Sequence, residues 1–233
     1  MIPARYAATR FPAKLMQLLG DKTVIRHTYE AAVATGLFEK VVVVTDSDII
    51  YKEIASNGGD VVMSKKEHES GSDRIAEAVA DIDVDVIVNV QGDEPFIQKE
   101  PLEKLVRLFD DASVQVGSVM RKIATPEEIQ SSSAVKVVVN KNNDALYFSR
   151  SAIPFAANAD IAPEYYLHVG VYGFRKKTLL DFTKWPASKL EKIEKLEQLR
   201  YLENGVAIRM ALVEFKSVAI DTPQDLDRAA KMI

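Results

Sequence analysis

Cysteine is absent from the 233-residue sequence. This absence excludes disulfides and thiolate metal sites and fits a reducing compartment, so we expect a cytoplasmic protein. Long apolar runs are missing as well, since no segment approaches the roughly 18 residues that a membrane span requires. Near the start of the chain, Arg5, Arg10 and Lys14 interrupt any apolar leader, so we expect neither a signal peptide nor a membrane partner.

An excess of positive charge is missing too, because 30 Lys and Arg face 34 Asp and Glu, a formal net charge of -4. This balance creates no general basic field, so we expect no nucleic-acid partner. The patterns GxxxxGK[ST] and GxGxxG do not occur, and neither do internal repeats. The composition is 47% hydrophobic, which suits a sizeable core in one large α/β domain or a domain with an insertion.

The chain is organised around the stretch DVIVNVQGDEP, residues 85–95. Its β-branched beginning predicts a strand buried on both faces, as in a parallel sheet. Pro95 keeps Glu94 out of helical geometry, and Gly92 allows the backbone to approach a ligand. Asp93 and Glu94 thus follow the carboxyl end of a strand, where α/β sheets bind ligands and Mg²⁺ finds oxygen ligands. The alternative is that Asp93 and Glu94 are only solvated turn residues.

Strands and helices alternate along the first half of the chain. The pattern predicts a strand end at 1–2, strands at 40–45, 60–63, 86–90 and 114–123, and helices at 24–35, 47–56, 75–80 and 100–110. This alternation predicts a mostly parallel central sheet with right-handed crossovers.

From residue 134 the pattern changes. Segments 134–140 and 144–148 flank a Lys-Asn-Asn turn, which predicts an antiparallel hairpin. Later elements are predicted as strands at 165–174 and 206–213, a helix at 190–203, and a strand ending at Asp221 before a helix capped by Thr222. We expect one domain over 1–233 with an insertion around 134–190.

A basic loop follows the first strand. Residues 3–14 carry Arg5, Arg10 and Lys14 but no acid, and the first acid in the chain is Asp21. Arg presents a planar fork and Lys a point charge, both of which suit phosphate oxygens. We favour phosphate binding over the alternative of an ordinary solvated loop.

The segment Glu69-Ser70-Gly71-Ser72-Asp73-Arg74 is predicted to be a loop that enters the helix at 75–80. Its hydroxyls and free backbone amides suit a nucleobase or a phosphate. A capping loop is an equally simple interpretation.

Asp93 and Asp221 share a predicted position, because each is expected at the end of a strand. If the two strand ends adjoin, two carboxylates can hold one or two Mg²⁺ ions against a triphosphate. For Asp221 alone, the alternative is a helix-entry residue favoured by the helix dipole.

Several segments, taken in order, resemble the CMP-KDO synthetases, the 3-deoxy-manno-octulosonate cytidylyltransferases. They are IPARYAATRFPAK, HESGSDR, NVQGDEP, AVKVV, ALYFSRSAIP, HVGVYGF, EKIEKLEQLR and IDTPQDL. The resemblance implies a Rossmann-like nucleotide-diphospho-sugar transferase fold and a homodimer, with the insertion serving dimerisation and sugar binding. It also implies Mg²⁺-dependent transfer of CMP from CTP to the anomeric hydroxyl of KDO, with release of pyrophosphate, for lipopolysaccharide synthesis.

The resemblance implies roles for individual residues. The nucleotide-side residues are Arg5, Arg10, Lys14, Ser70, Gly71, Arg74 and Gln91. The sugar-side residues are Gln91, Arg150, His168, Tyr172, Glu197 and Gln198. The catalytic residues are Arg10, Lys14, Asp93 and Asp221, and the two aspartates are the metal ligands. From the strand pattern, His168 and Tyr172 share one face at a spacing of four.

The sequence departs from the family pattern at a few positions. Ala13 stands where the family has Gly in its RxPGK motif, and Ser72-Asp73 stands for the usual Thr-Glu. The first strand is nearly absent, so we expect its start to be shortened.

Other functions are compatible with these residues. One is a cytidylyltransferase for another acidic sugar, such as sialic acid or an amino analogue of KDO. Another is a module that binds a nucleotide-sugar without turnover, against which Lys14, Asp93 and Asp221 argue. A third is a glycosyltransferase of related fold that holds Mn²⁺ and needs a nucleotide-sugar donor.

Overall fold

The computed structural model describes residues 1–7, 11–68, 70–158, 160–214 and 219–233. The chain separates into two compact units. The first comprises Met1–Leu102 and Lys216–Ile233, and the second comprises Glu103–Phe215. The second unit begins well before the expected insertion around 134–190, and the role of that insertion stays a prediction.

The strands are short and mostly apolar. In chain order they are β1 (Ile2–Ala4), β2 (Leu18–Leu19), β3 (Lys22–Thr23), β4 (Val43–Thr45), β5 (Val61–Met63), β6 (Val86–Asn89), β7 (Val116–Lys122), β8 (Lys136–Val139), β9 (Ala145–Ser149), β10 (Tyr166–Arg175) and β11 (Ile208–Leu212). The helices are α1 (Val24–Ala34), α2 (Asp48–Ser56), α3 (Gly71–Val79), α4 (Lys99–Arg107), α5 (Pro126–Gln130), α6 (Lys176–Phe182), α7 (Lys189–Glu194), α8 (Leu199–Glu203) and α9 (Pro223–Ala229). In the described part of the chain, no helix combines the length and apolar character needed to cross a membrane.

The first unit is built on a parallel sheet in the order β1-β4-β5. Ile2 lies opposite Val43, and Val43 lies opposite Val61, so the predicted parallel pairing is confirmed. Strand β6 runs beside β1, because the Val90 N–H donates to the Met1 carbonyl at 3.0 Å and the Met1 ammonium donates to the Val88 carbonyl at 2.8 Å. This is the pattern of parallel neighbours, so β1, β4 and β6 end at the same edge.

Side-chain caps fix the beginnings of the helices in this unit. The hydroxyls of Thr23, Ser47, Ser70 and Thr222 each accept a backbone N–H from the first helical turn. At the end of α1, Gly36 has a φ of 63°, a left-handed conformation in which glycine ends a helix without strain. The predicted caps at Thr23 and Thr222 are therefore confirmed.

The structure corrects several predicted boundaries. Helix α3 begins at Gly71 instead of Ile75, so most of the predicted loop 69–74 is the first helical turn. The predicted helix 190–203 is broken into α7 and α8 at Lys195, whose φ of 54° is left-handed. Residues 219–221 are not in a strand, so the structure does not place Asp221 at the end of one.

The second unit contains strands in the order β11-β7-β10-β8-β9. Strand β11 pairs with β7 in parallel, and β10 pairs antiparallel with both β7 and β8. The predicted hairpin is β8–β9, in which Val137 lies opposite Phe148. The predicted α/β class, with a parallel sheet and an antiparallel hairpin, is confirmed.

Aromatic rings fill the core of the second unit. Tyr201 stacks on Phe182 with ring centroids 4.3 Å apart and on Phe174 at 5.9 Å. Nearby, any Cβ on Gly173 would collide with the Phe109 ring, so β10 requires glycine at this position. This packing fixes β10, the strand that carries His168 and Tyr172.

Candidate active site

The turn after β6 places two carboxylates at the edge of the sheet. The Glu94 N–H donates to the Gln91 carbonyl at 3.2 Å and closes the turn. Thr28 of α1 supports it, because its hydroxyl donates to the Gly92 carbonyl at 2.9 Å. A Cβ on Gly92 would lie 3.2 Å from the Pro3 carbonyl oxygen. Glycine therefore fits a tight space within the protein at this position, and its role in the approach of a ligand stays a prediction.

Lys14 joins the two aspartates that the sequence singled out. Its ammonium donates to Asp93 and, at 2.9 Å, to Asp221. Burial alone would lower the pKa of Lys14, but attraction and hydrogen bonds to Asp93 and Asp221 outweigh it and raise this pKa above its ordinary value. The basic loop therefore has compensating acids, which come from distant positions in the chain. The structure brings both aspartates together around one cation.

Backbone contacts hold Asp221 in place without a strand. The Ile220 N–H donates to the Asp93 carbonyl at 2.9 Å, which ties this segment directly to the turn after β6. The Asp225 carboxylate accepts the N–H groups of Asp221 at 3.1 Å and Thr222 at 2.8 Å. Asp221 is therefore also a helix-entry residue, as the alternative interpretation held.

Glu94 is buried, with 7% of its surface exposed. Burial, followed by repulsion from Asp93 and Asp221, raises the pKa of Glu94 to about 8, although Lys14 opposes this shift. At neutral pH its carboxyl group is mostly protonated and can donate a hydrogen bond. For Glu94 the alternative of a solvated turn residue is therefore wrong.

A cavity of about 210 Å³ opens at the same edge of the sheet. Its walls are formed by Pro3, Ala4, Arg5, His68, Ser70, Gly71, Arg74 and Gln91. Five predicted nucleotide-side residues, Arg5, Ser70, Gly71, Arg74 and Gln91, thus share one cavity. Arg10 lies outside the described residues, and Lys14 lies at the aspartate pair.

Two of the cavity residues are fixed by contacts within the protein. The Ser70 hydroxyl accepts the Asp73 N–H at 3.1 Å, so the capping interpretation of this segment is confirmed. The Arg74 guanidinium, only 4% exposed, donates to the Ala4 carbonyl at 3.1 Å and to the Asp46 carboxylate at 2.5 Å. Arg74 is therefore a preformed part of the wall.

Sequence reasoning missed Asp46, His68 and Glu77. The hydrogen bond from Arg74 is the main reason that the pKa of Asp46 lies below its ordinary value. Asp46 follows β4 just as Asp93 follows β6, so the strand-end rule could have found it. The contact between His68 and Glu77 has no comparable signal, because the two residues lie nine positions apart, beyond the reach of local helix or turn patterns.

Two of the predicted sugar-side residues of the second unit, His168 and Glu197, lie near a third, Tyr172. The His168 ring lies 5.3 Å from the Tyr172 ring and 5.0 Å from that of Phe148, which confirms that His168 and Tyr172 share one face. Burial lowers the pKa of His168 to about 3, so the imidazole is neutral. Burial, and then the charge of Glu197, raises the pKa of Tyr172. Gln198, next to Glu197, is buried.

Arg150 is directed towards backbone oxygens. Its guanidinium donates to the carbonyls of Glu194 at 2.8 Å, Ser132 at 3.0 Å and Lys195 at 3.3 Å. The ammonium of Lys136, a buried residue that sequence reasoning missed, donates to the Arg150 carbonyl at 2.6 Å. The structure therefore shows Arg150 ordering two segments of the backbone, and its role towards a sugar carboxylate stays a prediction.

Comparison with known proteins identifies the family. Residues 1–209 match the cytidylyltransferase family. A relative from Flavobacterium johnsoniae, named 3-deoxy-manno-octulosonate cytidylyltransferase, is 57% identical over 100% of this chain and 97% of its own length. A relative of the same name from Christiangramia forsetii is 51% identical over 100% of this chain and 95% of its own length. The chain belongs to the 3-deoxy-manno-octulosonate cytidylyltransferase family.

A solved structure agrees with this assignment. The structure of CMP:2-keto-3-deoxy-manno-octonic acid synthetase complexed with CTP has a TM-score of 0.94 and 37% identity, covering 99% of this chain and 95% of that one. The fold of this 3-deoxy-manno-octulosonate cytidylyltransferase family member is therefore the nucleotidyltransferase fold that the resemblance implied, and the family prediction is confirmed.

The family pattern also explains a strained residue beside Lys14. Ala13 has a φ of 51° and a ψ of 30°, a left-handed conformation that disfavours any residue with a Cβ. The resemblance implies glycine at this position, in the RxPGK motif. Glycine would adopt this conformation without the strain that alanine carries.

Proposed function

We propose that the protein transfers CMP from CTP to 3-deoxy-manno-octulosonate and releases pyrophosphate. The observation that carries this proposal is the cluster of Lys14, Asp93 and Asp221, at the same edge of the sheet as the cavity lined by Arg74 and Gln91. The names of the relatives and of the CTP-bound structure support the choice of CTP and of the sugar. The product then serves lipopolysaccharide synthesis.

The reaction is an exchange of bonds at phosphorus. The anomeric hydroxyl oxygen of the sugar forms a bond to the α-phosphorus of CTP, while the bond from that phosphorus to the bridging oxygen of pyrophosphate breaks. The hydroxyl proton is released, and pyrophosphate leaves with the bonding electrons. Such a transfer depends on positioning and charge neutralisation more than on a covalent nucleophile from the protein.

The cofactor we propose is Mg²⁺, held by Asp93 and Asp221. Carboxylate oxygens are the ligands that Mg²⁺ prefers, and the two carboxylates already share one cation, the Lys14 ammonium, so the donor set fits. Across the described ranges, no group of three or more His, Cys, Asp or Glu residues is arranged to hold a metal. Two carboxylates suit an ion that keeps water and substrate phosphates as its other ligands. When bound, Mg²⁺ supplies Lewis-acid neutralisation of phosphate charge.

The basic residues of the chain neutralise the triphosphate. Lys14, released from the aspartates, donates to the departing pyrophosphate, which carries the charge that develops in the transition state. Arg5 is exposed in the cavity wall, where its fork can reach phosphate oxygens. Arg10 is assigned the same task by the resemblance alone. Ser70, Gly71 and the preformed Arg74 hold the nucleoside part of CTP.

The second unit provides the sugar-side residues. His168 and Gln198 can exchange hydrogen-bond roles with sugar hydroxyls, and Tyr172 and Glu197 belong to the same cluster. Arg150 is the candidate partner of the sugar carboxylate, because its guanidinium has five N–H donors and three of them bond backbone carbonyls. Gln91, in the cavity wall, is proposed to contact both substrates.

The test is pyrophosphate release from each of the four ribonucleoside triphosphates, with and without 3-deoxy-manno-octulosonate. We expect release with CTP only, dependent on the sugar and on Mg²⁺. Release with sialic acid or an amino analogue, and none with this sugar, would assign the enzyme to another acidic sugar. No release with any sugar, despite measurable CTP binding, would support the binding module.

The assembly we propose is a cytoplasmic homodimer. Phe155 is 89% exposed and Ile161 is 66% exposed, both in the segment after β9, and Leu146 of β9 is 61% exposed. If these side chains form one contiguous patch, a second copy of the chain could cover it. Light scattering at micromolar concentration should give the mass of two chains, and a monomer would contradict the proposal.

A further inference from the structure

A lysine to which the proposed reaction assigns no role is fully buried in the second unit. Lys136 of β8 has 0% of its surface exposed. Its ammonium donates to three backbone carbonyls, those of Ser131 at 2.7 Å, Arg150 at 2.6 Å and Ala134. An ammonium has three N–H donors, so all of them are used. These bonds tie the segment before β8 to the residue that follows β9.

The backbone of Arg150 is fixed from two sides. Its carbonyl accepts from Lys136, and its N–H donates to the Glu194 carboxylate at 3.0 Å. The second oxygen of that carboxylate accepts the Ser149 hydroxyl at 2.6 Å, and Ser149 lies opposite Lys136 in the β8–β9 hairpin. Two charged side chains, one from β8 and one from α7, therefore bind both polar groups of the Arg150 backbone.

The guanidinium of Arg150 completes this arrangement. Its Nε donates to the Glu194 carbonyl at 2.8 Å, and its other two bonds go to the carbonyls of Ser132 and Lys195. Three of the five N–H donors are thus used, all of them on uncharged acceptors. Among the described residues no further acceptor of this guanidinium is found, so two donors of the planar fork remain for a ligand.

The cluster of Lys136, Arg150 and Glu194 carries one excess positive charge. Burial favours protonation of Glu194, but hydrogen bonds from Arg150 and Ser149 outweigh burial and lower its pKa, so this carboxylate is ionised. Burial, and then the charge of Arg150, lower the pKa of Lys136, whereas Glu194 raises it. Two cations therefore face one anion, and the excess charge suits an anionic ligand.

The same hairpin borders another residue predicted to contact the sugar. The Phe148 ring, two positions before Arg150, packs against the His168 ring with centroids 5.0 Å apart. The Val135 carbonyl, next to Lys136, accepts the His168 N–H at 2.8 Å. The hairpin that carries Lys136 and Arg150 is therefore in contact with His168.

We propose that Lys136 and Glu194 are positioning residues for Arg150, which they hold by its backbone carbonyl and N–H so that its guanidinium is ready for the carboxylate of an acidic sugar. The inference rests on the proposed function, because it takes Arg150 as the partner of the sugar carboxylate. Lys136 and Glu194 act through Arg150 and do not touch the sugar. Such support keeps a recognition group within the narrow range of productive geometry.

Two substitutions distinguish positioning from simple attraction by charge. Lys136→Met removes the ammonium and keeps an unbranched side chain. Glu194→Gln keeps the size but offers one acceptor oxygen in place of two. If the cluster acted only through its net charge, Lys136→Met would weaken sugar binding and Glu194→Gln would strengthen it. Positioning predicts that both variants raise the KM for the sugar, Lys136→Met by about tenfold or more, with the KM for CTP changed less than about twofold.

A double-variant cycle tests whether Lys136 acts through Arg150. Arg150→Met should raise the KM for the sugar, and adding Lys136→Met to it should raise the KM less than about twofold further. Lys141→Met is the matched control, because Lys141 is an exposed lysine in the turn of the same hairpin. Fully additive effects of Lys136→Met and Arg150→Met, or a lower KM in Glu194→Gln, overturn the proposal.

NMR of the Arg150 side chain provides a readout that does not depend on turnover. Its Nε–H should exchange slowly with water in the wild type, because it donates to the Glu194 carbonyl, and faster in Lys136→Met and Glu194→Gln. Equal exchange in all three proteins overturns the positioning role. Circular dichroism checks the fold, and if Lys136→Met does not fold, Glu194→Gln decides through the sign of its effect on the KM.

Calorimetric binding of 3-deoxy-manno-octulosonate separates the two proposals. If the wild type binds this sugar, releases no pyrophosphate, and loses affinity in Lys136→Met and Glu194→Gln, the proposed function fails and the positioning role stands. If the wild type turns over CTP with the sugar and both variants keep its KM, only the positioning role fails. A wild type that neither binds nor turns over the sugar overturns both.

Discussion

The Lys14 ammonium lies 2.9 Å from the Asp221 carboxylate, although 207 positions separate the two residues in the chain. The same ammonium contacts Asp93, which is 79 positions away. Glu94 adds a third carboxyl group, and the repulsion among them contributes to its raised pKa. Lys14 is thus a cation that two carboxylates of this acidic cluster share. A divalent cation placed there would replace the lysine electrostatically.

The first prediction concerns this replacement. Lys14→Met leaves Asp93 and Asp221 without their shared cation, so in buffer with a chelator the variant should lose about 1–3 kcal/mol of unfolding free energy. Mg²⁺ should restore part of this loss and stabilise the variant more than the wild type. Thermal denaturation with and without Mg²⁺ measures both effects.

Lys177→Met is the matched control for the lysine substitution. Lys177 pairs with Asp181 at 2.6 Å but is 89% exposed, so its loss should change stability by less than about 0.5 kcal/mol. A Lys14→Met variant that is as stable as the wild type in chelator, and equally responsive to Mg²⁺, would show that the aspartates do not form the metal site.

The second prediction concerns the aspartates. Asp93→Asn and Asp221→Asn should each lower turnover by about 100-fold or more, because each removes a charge that we propose to position Mg²⁺. Asp93 and Asp221 side chains are 21% and 45% exposed, so folding should survive. The double variant should be little worse than either single one, since groups acting as a unit are not additive.

Turnover against Mg²⁺ concentration checks the aspartate prediction. Asp83→Asn is the control, because Asp83 is an exposed acid of the same unit. Near-normal turnover in either single variant would contradict a shared metal site, and fully additive losses would indicate independent roles.

The sequence allowed the two aspartates to be chosen, because each precedes a recognisable turn or cap. For Asp93 the reason was sound, since β6 is parallel to β1 and ends at the ligand-binding edge. For Asp221 the expected strand is absent from the described residues 219–221. The backbone hydrogen bond from Ile220 to the Asp93 carbonyl holds Asp221 near Asp93 instead. Local patterns cannot predict a bond between residues so far apart in the chain.

The rest of the site depended on tertiary contacts. Lys14 was predicted as a phosphate ligand, but its pairing with both aspartates becomes visible only in the folded chain. The break of the predicted helix 190–203 occurs at Lys195, which adopts a left-handed φ without the glycine that usually signals it. The pair of His68 and Glu77 likewise has no local pattern.

The third prediction concerns Ala13, which has a left-handed φ of 51°. This conformation costs a residue with a Cβ about 1–2 kcal/mol, partly offset by the larger entropy that glycine loses on folding. Ala13→Gly should therefore raise the unfolding free energy by about 0.5–1 kcal/mol. Urea denaturation measures it, with Ala31→Gly inside helix α1 as the control, which should lose about 1 kcal/mol. A destabilised Ala13→Gly would contradict the strain.

The surroundings of His168 provide the last prediction. Its Nε2 atom lies 3.0 Å from the Ser118 hydroxyl, which donates to the Val171 carbonyl at 2.8 Å and so accepts from the ring. The ring also packs between Phe148 and Tyr172. A positive charge has no compensating carboxylate in these contacts, and burial lowers the pKa of His168 from its ordinary 6.5 to about 3.

The fourth prediction is that acid destabilises the protein through His168. Between about pH 6.5 and 3 the unfolded chain binds this proton and the folded protein does not, so stability must fall as the pH falls through that window. The slope from this one group is at most about 1.4 kcal/mol per pH unit, because the folded and unfolded states differ by at most one bound proton at this residue. His168→Phe should lower the number of protons taken up on unfolding by about one in this pH range, whatever the absolute stability of the variant.

Urea denaturation from pH 4 to 8 measures this slope, and NMR of the ring proton should show no titration above about pH 5. Equal slopes in both proteins, or a ring that titrates near its ordinary pKa, would show that His168 is solvated and free to charge in the folded state.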